Sequence, residues 1–233
     1  MRFAGFPSEA LQFLRQLEKN NNREWFLAHK LAYETKVKAP MIELLRALQP
    51  ELKRFAPEIV YDPARSIFRI YRDIRFSTDK SPYKTHVAAY LSPSVSSRVD
   101  RAGLYLHLEP ARLLIAGGLY RPPSPALRAV RHYIVEHDGS IRRILAAKEL
   151  VKLFGTLGGD ELLRAPKGFA PDHPAADLLR HKDFIVDVER PARIAQSAEL
   201  FPMVVEHFRA MMPLVRFLNE ALSTIPAKFS DEE

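Results

Sequence analysis

The chain has 233 residues with 47% hydrophobic content, which suits one large domain with a substantial core and excludes global disorder. It has no cysteine, which excludes disulfides, thiolate metal sites and cysteine nucleophiles and fits a reducing compartment. The net charge of +7 eases contact with phosphates and other anions, but no block of five or more like charges forms a nucleic-acid-binding tail.

Three amphipathic helices are predicted first. Ser8 is placed to cap a helix carrying Leu11, Leu14 and Leu17 at helical spacing. Asn20, Asn21 and Asn22 break it, and Asn22 is placed to cap a second helix with Trp25, Phe26, His29 and Tyr33 along one side. Pro40 fits the first turn of a third, with Met41, Leu44, Leu45, Leu48 and Leu52. From 66 to 76 the pattern changes to period two. Ser66, Phe68, Ile70, Arg72, Ile74 and Phe76 alternate with Arg65, Ile67, Arg69, Tyr71, Asp73 and Arg75, which predicts a strand with one apolar face. Shorter strands are expected at 85–91, 103–109 and 112–119, the last two joined by a tight turn at Glu109, Pro110 and Ala111. Ser124 and a first-turn Pro125 open a helix with Leu127, Val130 and Ile134. More helix is expected over 140–154, ending at Gly155. A proline-punctuated loop over 164–174, a short helix at 175–180 and a strand at 184–188 follow. A last helix runs after Ser197 to about Leu222, bent by Pro213.

Helices, then strands, then helices is the order of an α+β domain: N-terminal helices, a central, mostly antiparallel sheet, and C-terminal helices packed on it. A single domain is expected over 1–222, with a frayed acidic tail over 223–233. Strand–helix alternation and a glycine-rich phosphate loop are both missing, so a Rossmann fold is not expected, and the pair Gly117-Gly118 reads as a bulge or a close packing point. Glu9, Gln12 and Arg15 interrupt the first apolar positions, against a signal peptide, and no run approaches the roughly 18 apolar residues of a membrane span. The expected location is cytoplasmic, with no membrane partner.

One stretch stands apart. Residues 69–84 hold Arg69, Arg72, Arg75, Lys80 and Lys84, with Asp73, Asp79, Tyr71 and Tyr83 among them. On the strand reading, Arg69, Tyr71, Asp73 and Arg75 project from one face about 6.5 to 7 Å apart. Arginines at that spacing can grip a phosphate or carboxylate while an aspartate holds the guanidinium groups in place. The turn from Ser77 to Ser81 can add hydroxyl and backbone N–H donors. The alternative is a salt-bridge ladder on a solvated face. Arg72 interrupts the apolar side and requires a carboxylate partner or an edge. Glu24, at a helix start, is one candidate to pair with Arg72 or Arg75.

The runs Asn21-Asn-Arg-Glu-Trp-Phe26, Arg72-Asp-Ile-Arg-Phe-Ser77, Asp79-Lys-Ser-Pro-Tyr-Lys84, Gly103-Leu-Tyr-Leu-His-Leu-Glu-Pro110, and Pro166-Lys-Gly-Phe169 followed by Asp172-His-Pro174 resemble the motifs of domain-of-unknown-function family 2461. The resemblance covers nearly the whole chain, from about residue 6 to 222. It implies an intact single-domain member of that family and brings no known activity, substrate or catalytic residue with it.

Other polar groups have simpler readings. Asp172, His173, Asp177 and His181 suit a helix cap and a C-terminal cation better than a metal site. His132, Glu136, His137 and Asp138 lack the spacing of a zinc helix. His107 and Glu109 share a strand face that His86 can approach, as an acid–base group or as an ordinary cross-strand contact. Trp25, Phe26 and Tyr33 read as helix packing, and no serine occupies a nucleophile elbow. The leading expectation is a domain that binds or acts on a phosphate- or carboxylate-bearing small molecule through Arg69, Arg72, Arg75, Lys80 and Lys84. Should it be an enzyme, Asp73 or Asp79 is the expected general base or metal-binding carboxylate and Tyr83 or His86 the proton donor. No cofactor and no metal is expected. A protein-interaction domain with a structural ladder is the alternative, and nucleic-acid binding a further, less favoured one.

Overall fold

A computed structural model describes residues 3–93 and 101–225. Its elements are α1 (Ser8–Lys19), α2 (Arg23–Ala32), α3 (Ala39–Phe55), β1 (Val87–Leu91), β2 (Gly103–Leu108), β3 (Arg112–Leu119), α4 (Ser124–Glu136), α5 (Asp138–Leu145), α6 (Lys148–Phe154), α7 (Ala176–Leu179), β4 (Phe184–Pro191) and α8 (Leu200–Ser223). The fold is α+β, with an antiparallel sheet in the order β1-β2-β3-β4. Among the described residues no helix is long and apolar enough to cross a membrane. From residue 226 on, the expected acidic tail lies outside the described residues.

The chain divides into two compact units. One takes the chain up to Leu91 with Tyr105–Ile115 and Glu189–His207; the other takes 92–93, 101–104, Ala116–Val188 and the chain from Phe208. In the first unit, α1 buries Leu11, Leu14 and Leu17, and α3 buries Met41, Leu44, Leu45, Leu48 and Leu52, as their spacing predicts. Asn22 caps α2 by accepting the Trp25 N–H at 2.9 Å. Ser8 makes no such bond; it is the first residue of α1, behind Pro7, and its hydroxyl donates to Glu9.

The second and third helices are not separate, as expected, but joined through a π-helical segment, Tyr33–Lys38. The physical reason is Pro40. Its ring has no N–H to give Lys36 and would crowd that carbonyl in a regular helix. The wider turn, in which the Ala39 N–H reaches Glu34, accommodates it without ending the helix. The same unit stacks Phe26 on Tyr83, ring centroids 4.1 Å apart. Phe26 and Phe13 both also pack against Tyr33.

The regular strand expected over 66–76 does not form. Ile67 bridges Ala89 of β1 and Tyr71 bridges Tyr83, both antiparallel, so the extended chain changes partner midway. Phe68 donates its N–H to Ala88, whereas Arg72 donates to Pro82 and Lys84 donates back to Ile70. Beyond Arg72 the ladder stops, and Phe76, expected on the apolar face, is 95% exposed.

In the second unit, the helix expected over 140–154 is two helices, α5 and α6, separated at Ala146 and Ala147, with Gly155 at a φ of 76° closing α6. The Gly117-Gly118 pair is a close packing point. A side chain on Gly118, whose φ is 125°, would collide with the Phe184 carbonyl, and one on Gly117 would meet Met211. Buried Arg131 donates to the His181 carbonyl at 3.0 Å. Asp183, also buried, accepts the N–H groups of Arg121 and Asp160, which fixes the backbone where Arg121 takes a φ of 47°.

Candidate functional site

Between Ile74 and Ser81 the chain turns back, and its own carboxylates tie the turn together. Asp79 accepts the Ser81 N–H at 2.9 Å and pairs with Arg72, whose second guanidinium nitrogen faces the Ser77 hydroxyl at 3.4 Å. Asp73 accepts two bonds from the Arg75 guanidinium, at 3.0 and 2.7 Å, and one from its N–H at 3.2 Å. Lys80 reaches the Ile74 carbonyl at 3.0 Å and Lys84 the Arg69 carbonyl at 3.0 Å, with the Lys84 ammonium also 5.3 Å from the centre of the Phe68 ring. Arg72 thus finds its carboxylate in Asp79, and Arg75 in Asp73. The pairing of Glu24 with either arginine is not observed, because each has an aspartate within seven residues on the same folded segment.

This turn forms one wall of a cleft of about 490 Å³. Arg72, Asp73, Asp79 and Ser81 come from the turn, Tyr83, Lys84, Thr85 and His86 from the segment entering β1, and Glu18 and Asn21 from the end of α1. Asn21 locks these pieces together. Its side-chain amide donates to the Tyr83 carbonyl at 2.9 Å and accepts the Tyr83 N–H at 3.0 Å, as a paired strand would. Of the predicted ligand-binding residues, Arg72 and Lys84 line the cleft, whereas Arg69, Arg75 and Lys80 are exposed on the segment outside its lining. All four acid–base candidates, Asp73, Asp79, Tyr83 and His86, line it. Glu18, Asn21 and Thr85 were not singled out from sequence. The one signal for Asn21 was a run of three asparagines in which only Asn22 was needed as a cap.

The electrostatics separate these groups. Hydrogen bonds from the Arg75 side chain and backbone hold Asp73 at about 2, and those from Ser81 and Arg72 hold Asp79 well below the usual carboxylate range. Both stay ionised at neutral pH with their oxygens engaged. Burial, then the neighbouring Tyr71, raises the Tyr83 phenol, which stays protonated. His86 is pushed down to about 3 by burial, then by His107 and Lys84, so it is a neutral imidazole.

Behind His86 lies a polar chain that runs from β2 through the turn at Glu109 and β3 to β4. The His86 ring stacks on His107 with centroids 4.0 Å apart and planes 24° from parallel. His107 Nδ1 meets the Tyr105 hydroxyl at 2.9 Å and its Nε2 meets Glu109 at 3.1 Å. Arg112 then joins Glu109, at 2.7 Å, to Glu189. With Glu109 also bound by Arg112, the consistent arrangement has Nε2–H donating to Glu109 and Nδ1 accepting from Tyr105. The sequence-level trio of His86, His107 and Glu109 is therefore in contact. The histidines and acids of the second unit are arranged otherwise. Asp177 and Asp138 both bind Arg142, His173 Nδ1 accepts the Ala175 N–H, and His137 ends α4. Among the described residues no group of three or more histidine, aspartate or glutamate side chains is placed to hold a metal ion.

Fold and site together define an α+β protein with a cleft walled by arginine, lysine, three carboxylates, hydroxyl groups and a neutral histidine. The chain belongs to domain-of-unknown-function family 2461, conserved hypothetical proteins, whose sequence profile matches residues 9–217. No curated protein and no solved structure matches it.

Proposed function

We propose that this protein binds a phosphate- or carboxylate-bearing ligand in the cleft beside Asn21. One observation carries the reading: Arg72 and Lys84 line a concave site together with Ser81 and Thr85, so charge and hydroxyl donors converge on one space. Asp79 orients Arg72 without exhausting it, since a guanidinium has five N–H donors and those on Asp79 and Ser77 leave others for a ligand. The cysteine-free composition supports a cytoplasmic setting.

A second reading has a specific observation behind it. Arg72 and Arg75 are each already paired with an aspartate, as in a structural ladder on a protein-interaction domain. Thermal denaturation in inorganic phosphate, pyrophosphate and citrate separates the two. Ligand at about 100 times its dissociation constant adds roughly 2.7 kcal/mol, a shift of several degrees. On the binding reading at least one of these anions stabilises the wild type, and Arg72→Gln and Lys84→Gln abolish the shift. A ladder predicts no shift with any anion and a lower melting temperature for Arg72→Gln in buffer alone.

A further inference from the structure

The cleft does not account for two side chains on the segment that walls it. Tyr71 and Phe76 are 54% and 95% exposed. Tyr71 touches the site directly, through Tyr83, and Phe76 reaches it through Arg75. The Tyr71 ring lies 5.5 Å from that of Tyr83, which lines the cleft. Phe76 lies under the Arg75 guanidinium at 5.8 Å, and Arg75 is held by Asp73, another lining residue. A small inorganic anion or a simple carboxylate makes no use of such rings. Leaving large apolar surface in water beside a cationic site is explained when the ligand itself carries flat apolar groups as well as negative charge.

We infer that the ligand is a single-stranded nucleic acid, its phosphates running over the cations of residues 65–84 and its bases stacking on Tyr71 and Phe76. This rests on the anion reading of the cleft and makes it specific. Base–aromatic stacking interleaved with cations is the general means by which single strands are held without sequence preference. The charge fits: Arg65, Arg69, Arg72, Arg75, Lys80 and Lys84 stand against Asp73 and Asp79 over these twenty residues. A lone nucleotide offers one base, whereas a strand can occupy both rings. The bases of a duplex are stacked on one another and are not available to either.

The test is fluorescence anisotropy with a labelled oligothymidylate of about ten nucleotides, compared with an abasic strand of equal length, the corresponding duplex, and inorganic tripolyphosphate as competitor. The single strand should bind at least about tenfold more tightly than the abasic strand, the scale of one stacked base. Phe76→Ala and Tyr71→Ala should each weaken the thymidylate about tenfold and leave the abasic strand unchanged. Arg72→Gln should weaken both. Because both rings are largely exposed, the melting temperatures of the two aromatic variants should match the wild type, so lost binding is not lost folding. Equal affinity for natural and abasic strands, or for strand and duplex, overturns the inference and leaves an anion site standing. So does stabilisation by phosphate or tripolyphosphate with no strand binding. If neither strand nor any anion binds, the anion reading falls with it.

Discussion

At the scale of the residue, the stacked imidazoles His86 and His107 set an acid limit on stability. Burial is the leading cause that lowers both, with Lys84 adding to the effect at His86 and Arg112 at His107, while Glu109 and Glu189 oppose it at His107. At neutral pH both rings are neutral in the folded protein, whereas in the unfolded chain they titrate near the ordinary value of 6.5. A group whose folded value is depressed contributes stability that is fully present above the unfolded value and is lost as pH falls toward the folded one. The window for His86 therefore opens at 6.5 and closes near 3. At pH 5.5 a ring that stays neutral when folded has lost on the order of 1 kcal/mol of its contribution. Urea denaturation at pH 7.5 and 5.5 should show the wild type losing stability and His86→Gln losing less, by about that amount. An identical pH dependence in the two proteins would mean that His86 is protonated in the native state.

At the scale of the element, the site depends on a turn that carries none of its charge. Asn21 and Asn22 are adjacent in one bend, yet they do different work: Asn22 caps α2, and Asn21 pairs with the Tyr83 backbone across 62 residues of chain. Asn22→Ala should cost about 1 kcal/mol, the usual value of such a cap, and leave anion affinity unchanged. Asn21→Ala leaves a donor and an acceptor of Tyr83 without their partners. It should cost about 1 to 3 kcal/mol and weaken phosphate binding as well, because Tyr83 and Lys84 lose their anchor. Calorimetric titration on both variants checks this; equal affinities would remove Asn21 from the site's construction. The same contrast explains how much was legible beforehand. The apolar spacing of α1 and α3 and the Asn22 cap are local signals, and they survive intact in the fold. The period-two run over 66–76 is also local, but a strand needs a partner along its length, and nothing in the run records that the partner changes between Phe68 and Ile70. The charge cluster was readable as composition. Which cations face the cleft, and that Asn21 builds it, depend on contacts distant in sequence.

At the scale of the whole molecule, the net charge of +7 can draw any polyanion, so binding of a strand must be traced to one part of the surface. The excess is concentrated: six cations against two carboxylates over residues 65–84 account for more than half of it. Salt dependence makes the distinction, because each phosphate neutralised on a single strand contributes about −0.7 to the slope of log affinity against log salt. A strand held by about four of the cluster's cations should give a slope near −3, and Lys80→Gln should make it shallower by about 0.7. Phe76→Ala removes stacking and no charge, so it should lower affinity at every salt concentration with the slope unchanged. Lys152→Gln, which removes an exposed charge of α6 outside the cluster, should alter neither affinity nor slope. If the two lysine substitutions instead moved the slope equally, the attraction would belong to the overall charge, and the cluster would lose its claim to the strand.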